Sequence, residues 1–149
     1  MTPLERRLAG AARRIGRLAP SEVEAAMAAG AILVDVRSAT TRARDGVIRG
    51  SVHLPLTVLA WRLDPGGAWR SPYVPEGAKV VLVCDQGCCS LLAADELAAM
   101  GVDATDVVGG IEGWAAAGLP LIAWDDPPVP CGELLGMEPP AGAAAPALR

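Results

Sequence analysis

The stretch Lys79–Met100, KVVLVCDQGCCSLLAADELAAM, decides the fold. Val80-Val81-Leu82-Val83 is a continuous apolar run with no polar residue to mark a solvent face. Such a run predicts a strand buried on both sides, as in a parallel sheet covered by helices. The run ends at Cys84, and Asp85-Gln86-Gly87-Cys88-Cys89-Ser90 leads into an Ala/Leu-rich segment closed by Gly101. That segment, Ser90 to Met100, predicts a helix with Leu91, Leu92, Leu97 and Met100 mostly inward and Asp95-Glu96 outward. A strand, a tight glycine-containing loop and a helix N-terminus turn backbone N–H groups toward one point. They also aim a helix dipole there, a setting that suits an anion or a thiolate. Cys84 stands at that point and is the candidate nucleophile.

The same alternation extends in both directions. Upstream, Pro20-Ser21 opens a helix over 22–29 that Gly30 closes, with Ser21 as the expected N-cap. Ala31 to Arg37 is a second buried strand that ends in two charges, Asp35 and Arg37. Charges at the carboxyl end of a parallel strand lie where such sheets place ligands, but a strand-end carboxylate also ties down loops. An Asp35–Arg37 pair with a structural role is the reading adopted. Ser38 to Asp45 predicts a short helix stopped by Gly46, Gly50 to Pro55 a brief strand, and Leu56 to Leu63 a helical turn or two. Downstream, Ala104 to Val108 predicts a strand, Gly109-Gly110 a sharp turn, and Ile111 to Ala117 a helix ended by Gly118 and Pro120. Strands alternating with helices predict an α/β domain with a mainly parallel sheet and right-handed crossovers.

Composition narrows the function. The 149 residues carry a net charge of −4, which gives no basis for nucleic-acid binding. No apolar run approaches the ~20 residues of a membrane span, and no secretory leader pattern opens the chain. Four cysteines, three of them within six positions, do not form a disulfide framework; a cytoplasmic location with reduced thiols is expected. Cys84, Cys88 and Cys89 match no common zinc spacing, so no metal and no cofactor is expected. Residues 1–17 hold five arginines and an apolar stripe of Leu4, Leu8, Ala11, Ala12 and Ile15. They read as a basic helical extension that packs its stripe on the domain and leaves its charges in solvent. The domain itself is expected over 18–124. Residues 125–149 hold six of the thirteen prolines and predict a flexible tail, with Gly132 to Met137 as its one apolar island.

Four motifs in order carry a resemblance. They are Asp35-Val36-Arg37, Gly50-Ser51-Val52-His53-Leu54-Pro55, the Cys84 loop, and Val108-Gly109-Gly110-Ile111-Glu112-Gly113-Trp114 followed by Gly118-Leu119-Pro120. Together, over roughly 18–123, they resemble a single-domain rhodanese, a sulfurtransferase. The resemblance implies a rhodanese-like five-stranded, mainly parallel sheet flanked by helices on both faces. It also implies that Cys84 carries a persulfide, with Asp85, Gln86, Gly87, Cys88, Cys89 and Ser90 forming the loop that binds the charged sulfur. The partners implied are a small-molecule or protein persulfide donor and a thiol acceptor; a partner protein is compatible with this, and neither nucleic acid nor membrane is called for. His53, the only histidine, occupies a strand position below the loop in this resemblance and reads as structural. The four tryptophans read as core and rim packing.

The departures bear on substrate. The thiosulfate-using loop is similar to C-R-x-G-x-R, and here the two arginine positions hold Asp85 and Cys89. That exchange disfavours a dianionic donor. In place of G-H-I-P-G the chain has Val47 and Arg49, and Arg49 reads as solvent-facing. Three functions compete: a Cys84 persulfide carrier, which is favoured; a non-catalytic or redox-regulated binding module of the same fold; and a cysteine phosphatase. The last needs an arginine clamp at the end of a longer loop, where this chain has Ser90.

Overall fold

The computed structural model describes residues 1–124. Four strands form one parallel sheet in the order β2-β1-β3-β4, with β1 at Ile32–Asp35, β2 at Val52–His53, β3 at Val80–Val83 and β4 at Ala104–Asp106. Register aligns Ile32 with Val80, Leu82 with Asp106, and Asp35 with both His53 and Val83. The carboxyl ends of the strands, among them Asp35, His53 and Asp106, therefore lie at one end of the sheet.

Among the described residues the sheet has four strands, not the expected five. The place of a fifth beside β4 is taken by Leu18, which makes one parallel bridge to Val107. The Leu18 N–H donates to the Asp106 carbonyl at 2.9 Å and its carbonyl accepts from the Val108 N–H at 2.9 Å. The ladder stops there because Pro20 has no N–H to continue it and the chain turns into a single 3₁₀ turn, Pro20–Glu22. That turn also corrects the expected Ser21 cap: the Glu22 carboxylate accepts from the Ala19 N–H at 2.8 Å instead.

Helices cover both faces. On one face α1 (Pro3–Arg14), α4 (Leu59–Arg62) and α5 (Cys89–Ala99) accompany a core of Val34, Val36, Val80, Leu82, Leu91 and Leu97. On the other, α2 (Val23–Ala28) and α6 (Gly110–Ala116) enclose Leu33, Val81, Val83, Val107 and Trp114. Alternate residues of β3 thus enter opposite cores, the physical meaning of its unbroken apolar run. The seven-residue α3 (Ala39–Asp45) begins at Ser38, whose hydroxyl accepts from the Thr41 N–H, and stops at Gly46.

The N-terminal stripe is narrower than expected. Ala11 and Ile15 are buried and Leu8 packs against the same core, but Leu4 and Ala12 are exposed. Thr2 and Glu5 form a reciprocal cap at the start of α1, and Arg14 pairs with Asp95 of α5 at 2.7 Å. The apolar island at Gly132 to Met137 lies outside the described residues. No helix among the described residues is long and apolar enough to cross a membrane.

Candidate active site

Cys84 follows β3 directly and is 7% exposed, with its sulfur at the focus of the loop. The Gly87 N–H donates to Sγ at 3.1 Å and the Ser90 N–H at 3.4 Å. The thiol in turn donates to the Ser90 hydroxyl oxygen at 3.2 Å. The Ser90 amide in the first turn of α5 and the Gly87 amide just ahead of that helix converge on the sulfur, an arrangement able to stabilise negative charge there.

The loop is held from behind by the Gly109-Gly110 turn. The Ile111 N–H donates to the Cys84 carbonyl at 2.8 Å and the Glu112 N–H to the Asp85 carbonyl at 3.0 Å. Gly110 has φ +59°, and a Cβ there would lie 2.3 Å from the Cys84 carbonyl oxygen. Gly87 has φ +84°, and a Cβ there would lie 2.7 Å from the Gly109 nitrogen. Both close approaches need glycine.

The side chains of the loop divide by direction. Asp85, Gln86, Cys88 and Cys89 are exposed around the mouth, while Gly87 and Ser90 are buried with the sulfur. Gln86 donates to the Glu112 carboxylate at 3.2 Å. Cys84, Cys88 and Cys89 are free thiols. Burial pushes the Cys89 thiol up, and Cys84, Cys88 and Asp85 add to that shift. Among the described residues no His/Cys/Asp/Glu group is arranged to hold a metal ion.

Asp35, Arg37 and His53 form a separate cluster. The Asp35 carboxylate takes a two-pronged bond from the Arg37 guanidinium, at 3.0 and 2.8 Å, and lies 3.2 Å from Arg42. Arg37 also donates to the Gly46 carbonyl at 2.8 Å, tying the end of α3 to β1. The His53 ring bonds the Arg37 carbonyl at 2.7 Å and meets Trp124 edge to face. Burial, together with the charge of Arg42, lowers its proton affinity despite that bond. None of these three side chains bonds the Cys84 sulfur. Arg49 is exposed and lines a cavity with Glu24, Met27 and Trp114, on the face of α2 and α6.

Two residues outside the expected set reach the site. Asp106, fully buried at the end of β4, accepts from the Ser90 hydroxyl at 2.8 Å. Arg17 grips Asp106 at 2.8 and 3.0 Å and donates to the Gly87 carbonyl at 2.7 Å. Arg17 was expected in solvent with the other N-terminal charges. The signal for Asp106 was present in the sequence: a carboxylate inside an apolar run, at the carboxyl end of a strand, as at Asp35.

A family model for the rhodanese-like domain matches residues 19–117. No curated protein matches the sequence. A protein of unknown function and possible tyrosine phosphatase from Rhodopseudomonas palustris is 28% identical, with a TM-score of 0.73 over 82% of this chain and 96% of its own. The reduced CoADR-RHD protein of Bacillus anthracis is 26% identical, with a TM-score of 0.58 over 68% of this chain and 16% of its own. A thiosulfate sulfurtransferase from Pseudomonas aeruginosa shares the fold at 22% identity and a TM-score of 0.56, over 71% of this chain and 19% of its own. The parallel sheet, the cysteine loop at the carboxyl end of its interior strand β3 and a family match across 19–117 agree: the chain belongs to the rhodanese-like family.

Proposed function

We propose that the protein is a sulfurtransferase that carries a sulfane sulfur as a persulfide on Cys84. One observation supports this above the others: the sulfur of Cys84 receives two loop amides at a strand end, with its mouth open between exposed loop side chains. The thiolate attacks the outer sulfur of a donor R–S–SH. The Sγ–S bond forms as the donor S–S bond breaks, and R–S⁻ departs. An acceptor thiolate then attacks the outer sulfur of Cys84–S–SH and releases the Cys84 thiolate, so two thiols exchange one sulfur with no net oxidation.

The donor proposed is a small-molecule or protein persulfide, with thiosulfate a poor one. Asp85 is exposed at the mouth where an arginine would hold the dianion. Arg44 is a cation that feels Asp85: its proton affinity is raised first by its bond to Asp45 and least by Asp85, and it is already paired at 2.8 Å. Cytoplasmic thiols suit the acceptor role, and Cys84, Cys88 and Cys89, free among the described residues, fit a reducing compartment. The loop residues 85–90 are the proposed sulfur-binding set.

A phosphatase reading draws on the name of the Rhodopseudomonas relative. It is disfavoured because Ser90 stands at the clamp position, and its hydroxyl is held between Cys84 and a buried carboxylate. Incubation with glutathione persulfide, followed by intact-mass and fragment-ion spectrometry, tests the proposal. A +32 Da adduct on Cys84 that a second thiol removes supports it. No adduct leaves a binding module, and hydrolysis of an aryl phosphate at Cys84 replaces it with a phosphatase.

A further inference from the structure

We propose that Arg17 and Asp106 are positioning residues for the Cys84 sulfur: their ion pair decides which way the Ser90 hydroxyl turns its one proton, and so how readily Cys84 ionises. This rests on Cys84 as the working nucleophile, and it makes the N-terminal segment part of the site.

Asp106 has no exposed surface. A carboxylate there keeps its charge only with a close partner, and the two-pronged Arg17 guanidinium supplies one. Arg17 is fixed by the backbone on either side of it. Thr105 donates its hydroxyl to the Gly16 carbonyl at 2.6 Å, and Leu18 is bridged to β4. The third bond of Arg17 goes to the Gly87 carbonyl, the residue whose own N–H points at sulfur. One side chain thus links the carboxylate under the site to the loop around it. Arg17 lies outside residues 19–117, the part matched to the family.

Ser90 has a single hydroxyl proton and two neighbours, the Asp106 carboxylate at 2.8 Å and the Cys84 sulfur at 3.2 Å. The charge-assisted bond to Asp106 takes the proton. The Ser90 oxygen therefore faces sulfur with lone pairs, and it accepts from the thiol S–H. That arrangement fits the thiol and opposes the thiolate, which is left with two amides. Were Asp106 uncharged, the same hydroxyl would turn and donate to the thiolate. Asp106, Ser90 and Arg17 act from beneath; the other ionisable groups about the sulfur are Asp85, Cys88 and Cys89 of the loop, Glu112 of α6 through Gln86, and Arg44 beyond Asp85.

The test is the pH profile of iodoacetamide alkylation in a full-length chain carrying Cys88→Ser, Cys89→Ser and Cys131→Ser, so that Cys84 is the one thiol. Alkylation needs no sulfur donor, so its result is independent of whether the persulfide reading holds. Asp106→Asn removes a charge within about 6 Å of sulfur, the limit set by the two bonds through Ser90, keeps Arg17 and frees the hydroxyl. The pH of half-maximal rate is expected to fall by about one to two units relative to the parent. If Asp106→Asn does not fold, the pair Arg17→Met with Asp106→Leu leaves no buried charge unpaired and is expected to move the midpoint the same way by a smaller amount. A lower melting temperature with an unmoved midpoint would mean a structural pin alone and overturn the proposal; so would a midpoint that rises.

Discussion

Gly110→Ala probes the contact on which the cysteine loop rests. The new Cβ would lie 2.3 Å from the Cys84 carbonyl oxygen and 2.7 Å from the carbonyl carbon and oxygen of Asp85. All three are backbone atoms, so no flexible side chain can yield. Relief requires α6 to retreat by about 1 Å, given ordinary carbon–oxygen contact distances. That retreat stretches the Ile111 and Glu112 bonds to the loop, now 2.8 and 3.0 Å, beyond hydrogen-bonding range. Each such bond lost under cover costs about 1–1.5 kcal/mol, and alanine at φ +59° adds about 1 kcal/mol. The sum is about 3–4 kcal/mol, or a fall of about 2 M in the urea midpoint. Gly118→Ala is the control: its φ is +75° but nothing lies within 4 Å of the added carbon, so only the conformational part, about 1 kcal/mol, applies. Urea unfolding of both variants, with Cys84 alkylation as a readout of the loop, decides the matter. Equal losses for the two, within about 0.5 kcal/mol, would refute the steric reasoning.

Cys84→Ser should abolish persulfide formation and sulfur transfer while changing stability by less than about 1 kcal/mol, because sulfur is exchanged for oxygen among the same donors; turnover that persists would move the chemistry to Cys88 or Cys89. A thiol persulfide should give a higher kcat/KM than thiosulfate, and Asp85→Arg should raise thiosulfate use by about tenfold or more. An unchanged ratio would show that residue 85 does not face the donor. His53 titrates below its ordinary value in the fold, because burial and the Arg42 charge disfavour its cation. The unfolded chain therefore binds the proton more tightly, and stability falls as pH drops from about 6.5 toward the lower folded value. His53→Gln should flatten thermal stability between about pH 5 and 7 relative to the parent, and a parent curve with no such slope would remove His53 as its source.

What the sequence disclosed follows the range over which each interaction acts. The strand at Val80–Val83 and its cysteine loop were legible because burial on two faces leaves a continuous apolar run and the loop follows at once. Asp35 and Arg37 were legible because two charges two residues apart at a strand end face a common side. The fifth strand came from the resemblance alone, and the residues themselves gave four. One bridge at Leu18 is too little pairing to leave a pattern, and Pro20 cuts it short. Arg17 was unreadable for the opposite reason: its partners at Gly87 and Asp106 lie 70 and 89 positions away, and an arginine beside four others looks like a solvated face.

Asp35 and Asp106 show why a buried carboxylate does not by itself mark chemistry. Both are fully buried at the carboxyl ends of parallel strands, and both are neutralised by arginine. Desolvation demands that pairing in either place. The difference lies in the remaining lone pairs. Asp35 uses its own on Arg37 and Arg42, binding β1 to the segment that follows it. Asp106 keeps one contact for the Ser90 hydroxyl, a group with a movable proton that touches sulfur. A guanidinium proton fixed in place can only hold a carboxylate, whereas a hydroxyl can reverse its direction and report the carboxylate's charge to a third atom. Chemistry is therefore sought at the carboxylate whose partner can turn, and in this fold that is Asp106.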